Sequence, residues 1–221
     1  MTRRLFTDIA AIYDRMNHLL SLGLDLRWRR LAVEGIGGGP LRVLDLACGT
    51  GDSTLALARR FPSAEIVGVD ITPAMLDMAR RKCAAPNMRF MEGDAQGLPA
   101  AAAGPFDACM CAFGFRNFPD RRKALREVGR VLAPGGELVV LEFFRPANAA
   151  LGWFTAWWLR LVAGLLVRRQ SAAYRYLRES MANMLTEDAF IALAAEECFH
   201  LETRRFFAPC CTCLRFRVFR G

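Results

Sequence analysis

The sequence predicts an α/β fold, a doubly wound domain built on a mostly parallel, seven-stranded sheet with helices on both faces. Three observations carry that prediction. Short apolar runs alternate with segments of helical period from residue 42 to residue 144. The first run passes through a glycine-bearing turn into a helix start, "VLDLACGTGD" at 43–52. The second run closes on a carboxylate, Asp70, at the end of the strand where sheets of this kind present their ligands.

Two helical patterns open the chain, at 8–20 and 25–35, and "GGGP" at 37–40 ends them. A strand is expected at 42–47, a helix at 52–61 and a second strand at 65–70. The helix at 72–83 has Thr72 as its N-cap and Pro73 in its first turn, where the missing N–H does no harm. Strands follow at 88–94, 106–113 and 137–144, the last two joined by an amphipathic helix, 120–132, that "APGG" stops. Strands alternating with helices imply right-handed crossovers and parallel pairing. Residues 147–185 interrupt the rhythm with an apolar and a polar helix, a helical lid insertion. A helix at 187–197 and two strands, "HLETRRFF" and "CLRFRVFR", complete the sheet, all within a single domain, 1–221.

A net charge of +8 favours an anionic partner, nucleic acid or an acidic membrane surface, without choosing between them. The N-terminal stretch carries Asp8 and Asp14 inside its apolar pattern, which argues against a secretory signal. The eight cysteines include Cys48 in the glycine loop and Cys109 and Cys111 on a buried strand, so a reduced, cytoplasmic chain is expected. "CCTC" at 210–213 lacks paired knuckles, and the chain has only His18 and His200; no metal is expected, and the thiols read as small hydrophobes. In "LRFRVFR", Arg215 and Arg217 alternate with apolar residues, as on an edge strand with one solvated face.

In the glycine loop, Gly49 and Gly51 let backbone approach a ligand, and the helix start beyond them aims amide donors at the same place. Asp70 can accept both hydroxyls of an adenosine ribose. A dinucleotide fingerprint would need a third glycine where Thr54 stands, and Asp45 would repel a pyrophosphate. Asp45 instead suits a ligand bearing an ammonium and a sulfonium. With "GDA" at 93–95 and the aromatic end of the fourth strand, the set points to S-adenosyl-L-methionine rather than NAD.

On these residues the chain resembles the ubiquinone/menaquinone biosynthesis C-methyltransferases, of the class I, Rossmann-like type. "IAAIYDRMNHLLSLGLDLRWRR" (9–30), "VLDLACGTGD", "GDAQGLP", "FGFRNFPDRRKALREVGRVLAPGGELVVLEF" and "AYRYLRES" (173–180) follow in that family's order. The resemblance implies cofactor contacts from Thr50, Asp70, Asp94 and Ala95, with Tyr13 closing over the site from the N-terminal helices, 1–37. It implies C-methylation of a polyprenylated quinol. The chain departs from the pattern at Ala112, where many members have serine, at "AAAAG" (100–104), at Cys198 in place of a common glycine, and along the C-terminal "APCCTCLRFRVFRG".

Quinol methylation suits the stretch "AFGFRNFPD". A ring carbon becomes nucleophilic when an adjacent hydroxyl shares its charge, so the site must hold an apolar ring beside a developing oxyanion. Phe113 and Phe115 are expected to wall the ring, and Arg116 with Asn117 to face it. An apolar helix at 149–169, with Trp153, Trp157 and Trp158 but Arg160 in mid-course, reads as a lid or interfacial helix. That places the protein in the cytoplasm, peripherally on the inner, anionic face of the membrane, with a homodimer possible. The rival readings are a methyltransferase for a polyketide- or sterol-like molecule and a basic nucleic-acid binder. No appended RNA-binding module or "NPPY" supports the second.

Overall fold

The computed structural model describes Asp14, Asn17, His18, residues 21–146, Gly152, residues 179–208 and residues 211–219. Helix α1 (Leu24–Glu34) precedes strand β1 (Arg42–Leu46), followed by α2 (Asp52–Arg60), β2 (Glu65–Asp70), α3 (Pro73–Lys82) and β3 (Met88–Glu92). Strand β4 (Phe106–Ala112), a 3-10 turn (Phe115–Asn117), α4 (Arg121–Val131) and β5 (Leu132–Glu142) come next, then α5 (Glu187–Glu196), β6 (Phe199–Phe207) and β7 (Cys211–Val218). The seven strands run in the order β3-β2-β1-β4-β5-β7-β6. Pairing is parallel from β3 through β5, and β7 alone runs antiparallel to both its neighbours.

Successive side chains of a strand point to opposite faces, so each central strand supplies two cores. Leu44, Leu138 and Val140 join Phe106, Phe190, Phe199 and Phe216 on the face covered by α4 and α5. Val43, Val139 and Leu141 join Trp28, Leu57 and Ile66 on the face covered by α1 and α2. This two-sided burial is why the central strands read as continuous apolar runs.

Two expectations need correction. The strand expected at 137–144 starts at Leu132, directly from α4: Leu132 pairs with Phe106, and the next register pair is Ala108 with Glu137. The intervening "APGG" is therefore a bulge, with Gly135 at φ +74°. Strand β7 is not an edge. It lies between β5 and β6, and its arginines are engaged: Arg217 pairs with Glu137 and Glu202, and Arg215 with Glu202. The edge on this side is β6, solvent-facing along most of its length between buried Phe199 and Phe207.

Cys198 ends the α5 turn at φ +65°, and its N–H donates to Ala195 O. A left-handed residue after a helix is a position that suits glycine. Cys198 is exposed, so no packing offsets the strain. Cys198→Gly is expected to stabilise the domain by about 0.5–1 kcal/mol, read as a higher midpoint in urea with an unchanged slope. An unchanged or lower midpoint would mean that the turn relaxes around the thiol.

Tyr13, most of the helix expected at 8–20, and all but Gly152 of the helix expected at 149–169 lie outside the described residues. Among the described residues no helix is long and apolar enough to cross a membrane.

Candidate active site

A cavity of about 320 Å³ opens at the C-terminal ends of β1, β2, β3 and β4. The turn after β1 contributes Ala47 and Gly49, that after β2 Asp70 and Thr72, that after β3 Asp94 and Ala95, and that after β4 Phe113 and Asn117. Of the residues singled out from sequence, Gly49, Asp70, Asp94, Ala95, Phe113 and Asn117 thus share one wall-lined space. Asp45, Thr50, Gly51, Phe115 and Arg116 do not line it.

Asp70 ties two turns together. Its Oδ2 accepts from Gly49 N at 2.9 Å and its Oδ1 from Thr72 N at 2.8 Å. Burial raises its pKa above the ordinary carboxylate value, and the N–H groups of Thr72 and Gly49 oppose that rise. Each oxygen keeps a second lone pair for a hydroxyl donor. Gly49 takes φ +55° to aim its N–H at Asp70. Gly51 has a further reason to be glycine: at φ +90°, a Cβ there would sit 2.8 Å from Cys83 Sγ, so the position serves the close approach of α3.

Thr50 is turned toward the N-terminal segment. Its hydroxyl donates to Asp14, and Lys82 bridges Asp14, at 2.7 Å, and Asp52. Burial pulls the Lys82 pKa down, but the two carboxylates outweigh it and hold the ammonium above its ordinary value. His18 Nδ1 meets Asp25 at 2.9 Å, while its Nε2 faces Asp52 at 3.8 Å. This lacing of the N-terminal segment onto the glycine loop joins residues far apart in sequence, and no local pattern signals it.

Asp45 lies just behind the loop, 1% exposed. Thr54 Oγ1 donates to its Oδ2 at 2.6 Å, and its Oδ1 has no hydrogen-bond partner. Burial pushes its pKa up to about 7, against the pull of the Thr54 hydroxyl and the Arg29 charge. A carboxyl raised in this way lends stability below about pH 4, which is lost as pH rises through about 7. Asp45→Asn keeps an acceptor for Thr54 and never ionises. Relative to wild type, the variant's unfolding free energy is expected to shift in its favour by roughly 2–4 kcal/mol between pH 4 and pH 8. Urea melts at the two pH values check this; a pH-independent difference would contradict it.

Phe113 leaves β4 in the left-handed region, φ +62°, anchored by its N–H on Leu141 O at 2.8 Å. Such a conformation in a bulky residue stores roughly 1–3 kcal/mol of strain. It turns the ring into the cavity wall, stacked on Phe143 with centroids 4.9 Å apart. The guanidinium groups of Arg29 and Arg116 lie 5.0 and 5.5 Å from its ring centre.

That left-handed step and the 3-10 turn beyond it send Phe115 the other way. Phe115 does not wall the cavity: it is fully buried in the opposite core, edge-on to Phe118 and Phe190. Arg116 is likewise drawn off the wall. Its Nη1 pairs with Glu142 Oε1 at 2.6 Å, and its N–H donates to Oε2 at 3.2 Å. Glu142 is wholly buried, so the guanidinium, 8% exposed, is held inward behind Phe113. Asn117 stays on the wall, with Nδ2 donating to Phe113 O at 3.4 Å.

The "CCTC" thiols on described positions, Cys211 and Cys213, are buried within β7, and burial pushes Cys213 up to about 12.

Residues 2–212 match the ubiE/COQ5 methyltransferase family. A demethylmenaquinone methyltransferase of Thermus thermophilus is 49% identical over 197 residues, covering 86% of this chain and 89% of that protein. The ubiquinone/menaquinone biosynthesis C-methyltransferase UbiE of Syntrophotalea carbinolica is 41% identical over 205 residues, covering 90% of this chain and 85% of its own length. Among solved structures, a SAM-dependent methyltransferase from Aquifex aeolicus superposes with a TM-score of 0.65 at 15% identity, over 88% of this chain and 92% of that one. At that identity the likeness speaks for the fold.

Proposed function

The chain belongs to the ubiE/COQ5 methyltransferase family, and on that premise we propose that it methylates the ring of demethylmenaquinol, a polyprenylated naphthoquinol. It is an S-adenosylmethionine-dependent C-methyltransferase of quinone biosynthesis. Menaquinone is the product common to the names of both relatives above, which favours the naphthoquinol over a benzoquinol. The observation that carries the reading is the single cavity that joins Asp70 and Asp94 at one side to Phe113 and Asn117 at the other. Cofactor and ring can meet there.

Bound S-adenosylmethionine supplies a methyl group on a sulfonium, open to in-line displacement. The chain's own residues provide alignment, which supplies much of the rate in such a transfer. Asp70 is placed for the ribose hydroxyls, and Asp94 and Ala95 for the adenine side. Phe113 offers the quinol ring an apolar wall, and Asn117 a polar group beside it. Arg116, behind that wall, lends positive charge that favours ionisation of the quinol hydroxyl. The ring carbon beside that oxygen then attacks the methyl, the sulfonium sulfur leaves with the electron pair of the broken S–C bond, and the methylated carbon gives up its proton to water.

The substrate's tail places the reaction at a membrane surface, and the chain's charge of +8 suits an anionic one. Mass spectrometry of quinones from cells lacking the protein tests the substrate: a demethylmenaquinone should accumulate. Accumulation of a demethyl-benzoquinone alone would replace the naphthoquinol with the other ring.

A further inference from the structure

The proposed cofactor has two ends. Its adenosine falls to Asp70, Asp94 and Ala95, which leaves its amino-acid end for the opposite wall, at Ala47 and Phe113. Three elements converge behind that wall: β1 with Asp45, α2 with Ser53 in its first turn, and β4 with Phe113. Arg29, from α1, lies among them. Its Nη1 donates to Ser53 Oγ, its guanidinium stands 5.0 Å from the Phe113 ring centre, and its charge acts on Asp45.

Arg29 is 8% exposed, and among the described residues no carboxylate forms an ion pair with it. Its Nε is buried with no hydrogen-bond partner. A buried guanidinium left with one hydroxyl is costly unless something anionic completes it. Asp45 Oδ1, close by, is the complementary case, a buried acceptor without a donor. One unfilled donor and one unfilled acceptor fit the two ends of a zwitterion.

We propose that Arg29 receives the carboxylate of the cofactor's methionine end, with the positive end of the α2 dipole on its far side. The assignment rests on S-adenosylmethionine being the cofactor. Asp45 faces the ammonium of the same group, so the pair reads the cofactor's amino-acid end as Asp70 reads its ribose.

The test compares ligands that differ only at that end. S-adenosylhomocysteine carries the carboxylate, and 5′-methylthioadenosine lacks the whole amino-acid portion. By calorimetry, Arg29→Gln is expected to weaken S-adenosylhomocysteine roughly 10–100-fold and methylthioadenosine less than about twofold, with Arg29→Lys between. A second arm leaves the protein untouched: decarboxylated S-adenosylmethionine should bind wild type about as poorly as S-adenosylmethionine binds Arg29→Gln. Equal losses for both ligands, or full affinity for the decarboxylated cofactor, would overturn the role of Arg29 while leaving the cofactor in place. A wild-type protein that binds neither nucleoside would overturn the cofactor reading, and the role of Arg29 with it.

Discussion

Arg116→Ala is expected to lower kcat by roughly 10²–10³, the range seen when a group that stabilises a transition-state oxyanion is removed. Cofactor affinity should barely change, because Arg116 does not line the cavity. The same change leaves Glu142 buried without its 2.6 Å partner, so stability should fall by roughly 3–5 kcal/mol as well. The two effects separate in further variants. Arg116→Lys restores a charge but not the planar fork, and should recover only part of the rate. Glu142→Gln keeps the guanidinium and removes the opposing charge. It should lose stability yet hold kcat within about tenfold, since the charge proposed to act on the quinol oxygen remains. If kcat instead follows stability through all three variants, Arg116 is a brace for the Phe115–Asn117 turn and nothing more.

Asp70→Ala is expected to weaken S-adenosylmethionine at least tenfold, because the two ribose hydroxyl bonds proposed for it are charge-assisted, each worth roughly 1.5–3 kcal/mol. Some of the loss comes through the backbone, since the same carboxylate holds Gly49 N and Thr72 N. Asp70→Asn divides the two: one amide oxygen can keep a backbone bond, but the charge is gone. Burial raises the Asp70 pKa, so wild-type affinity should fall as pH drops through a value above the ordinary carboxylate range. Titration calorimetry over that range checks both statements. Unchanged affinity in Asp70→Ala would remove the ribose assignment.

The order of elements was legible because each is a local pattern. "VLDLACGTGD" contains strand, turn and helix start within one window, and Asp70 lies at the end of the next strand whatever packs around it. Thr72 and Pro73 mark the start of α3 by their own chemistry. What was not legible depends on partners distant in sequence or on one unusual dihedral. Phe113 and Phe115 share a face if the chain stays extended, and the left-handed Phe113 breaks that rule. Arg116 turns inward for Glu142, 26 residues later. The alternation in "LRFRVFR" is genuine, but it cannot say whether a strand has one neighbour or two. Arg29 and Asp45 share no motif, and only the fold brings their unfilled atoms to one place.

The position of β7 has a consequence for how the chain is made. It is the last described strand in chain order, yet it fills a slot between β5 and β6, with Leu214 and Phe216 fully buried. During synthesis, β6 emerges with no strand to join, and the outer side of β5 stays open until residues 211–218 leave the ribosome. A message truncated just ahead of them would yield every residue of the cofactor cavity but a sheet split before its seventh strand. Such a product would present two bare edges to chaperones and proteases. Closure of this sheet therefore waits on residues 211–218, well after the strands that build the cavity have been made.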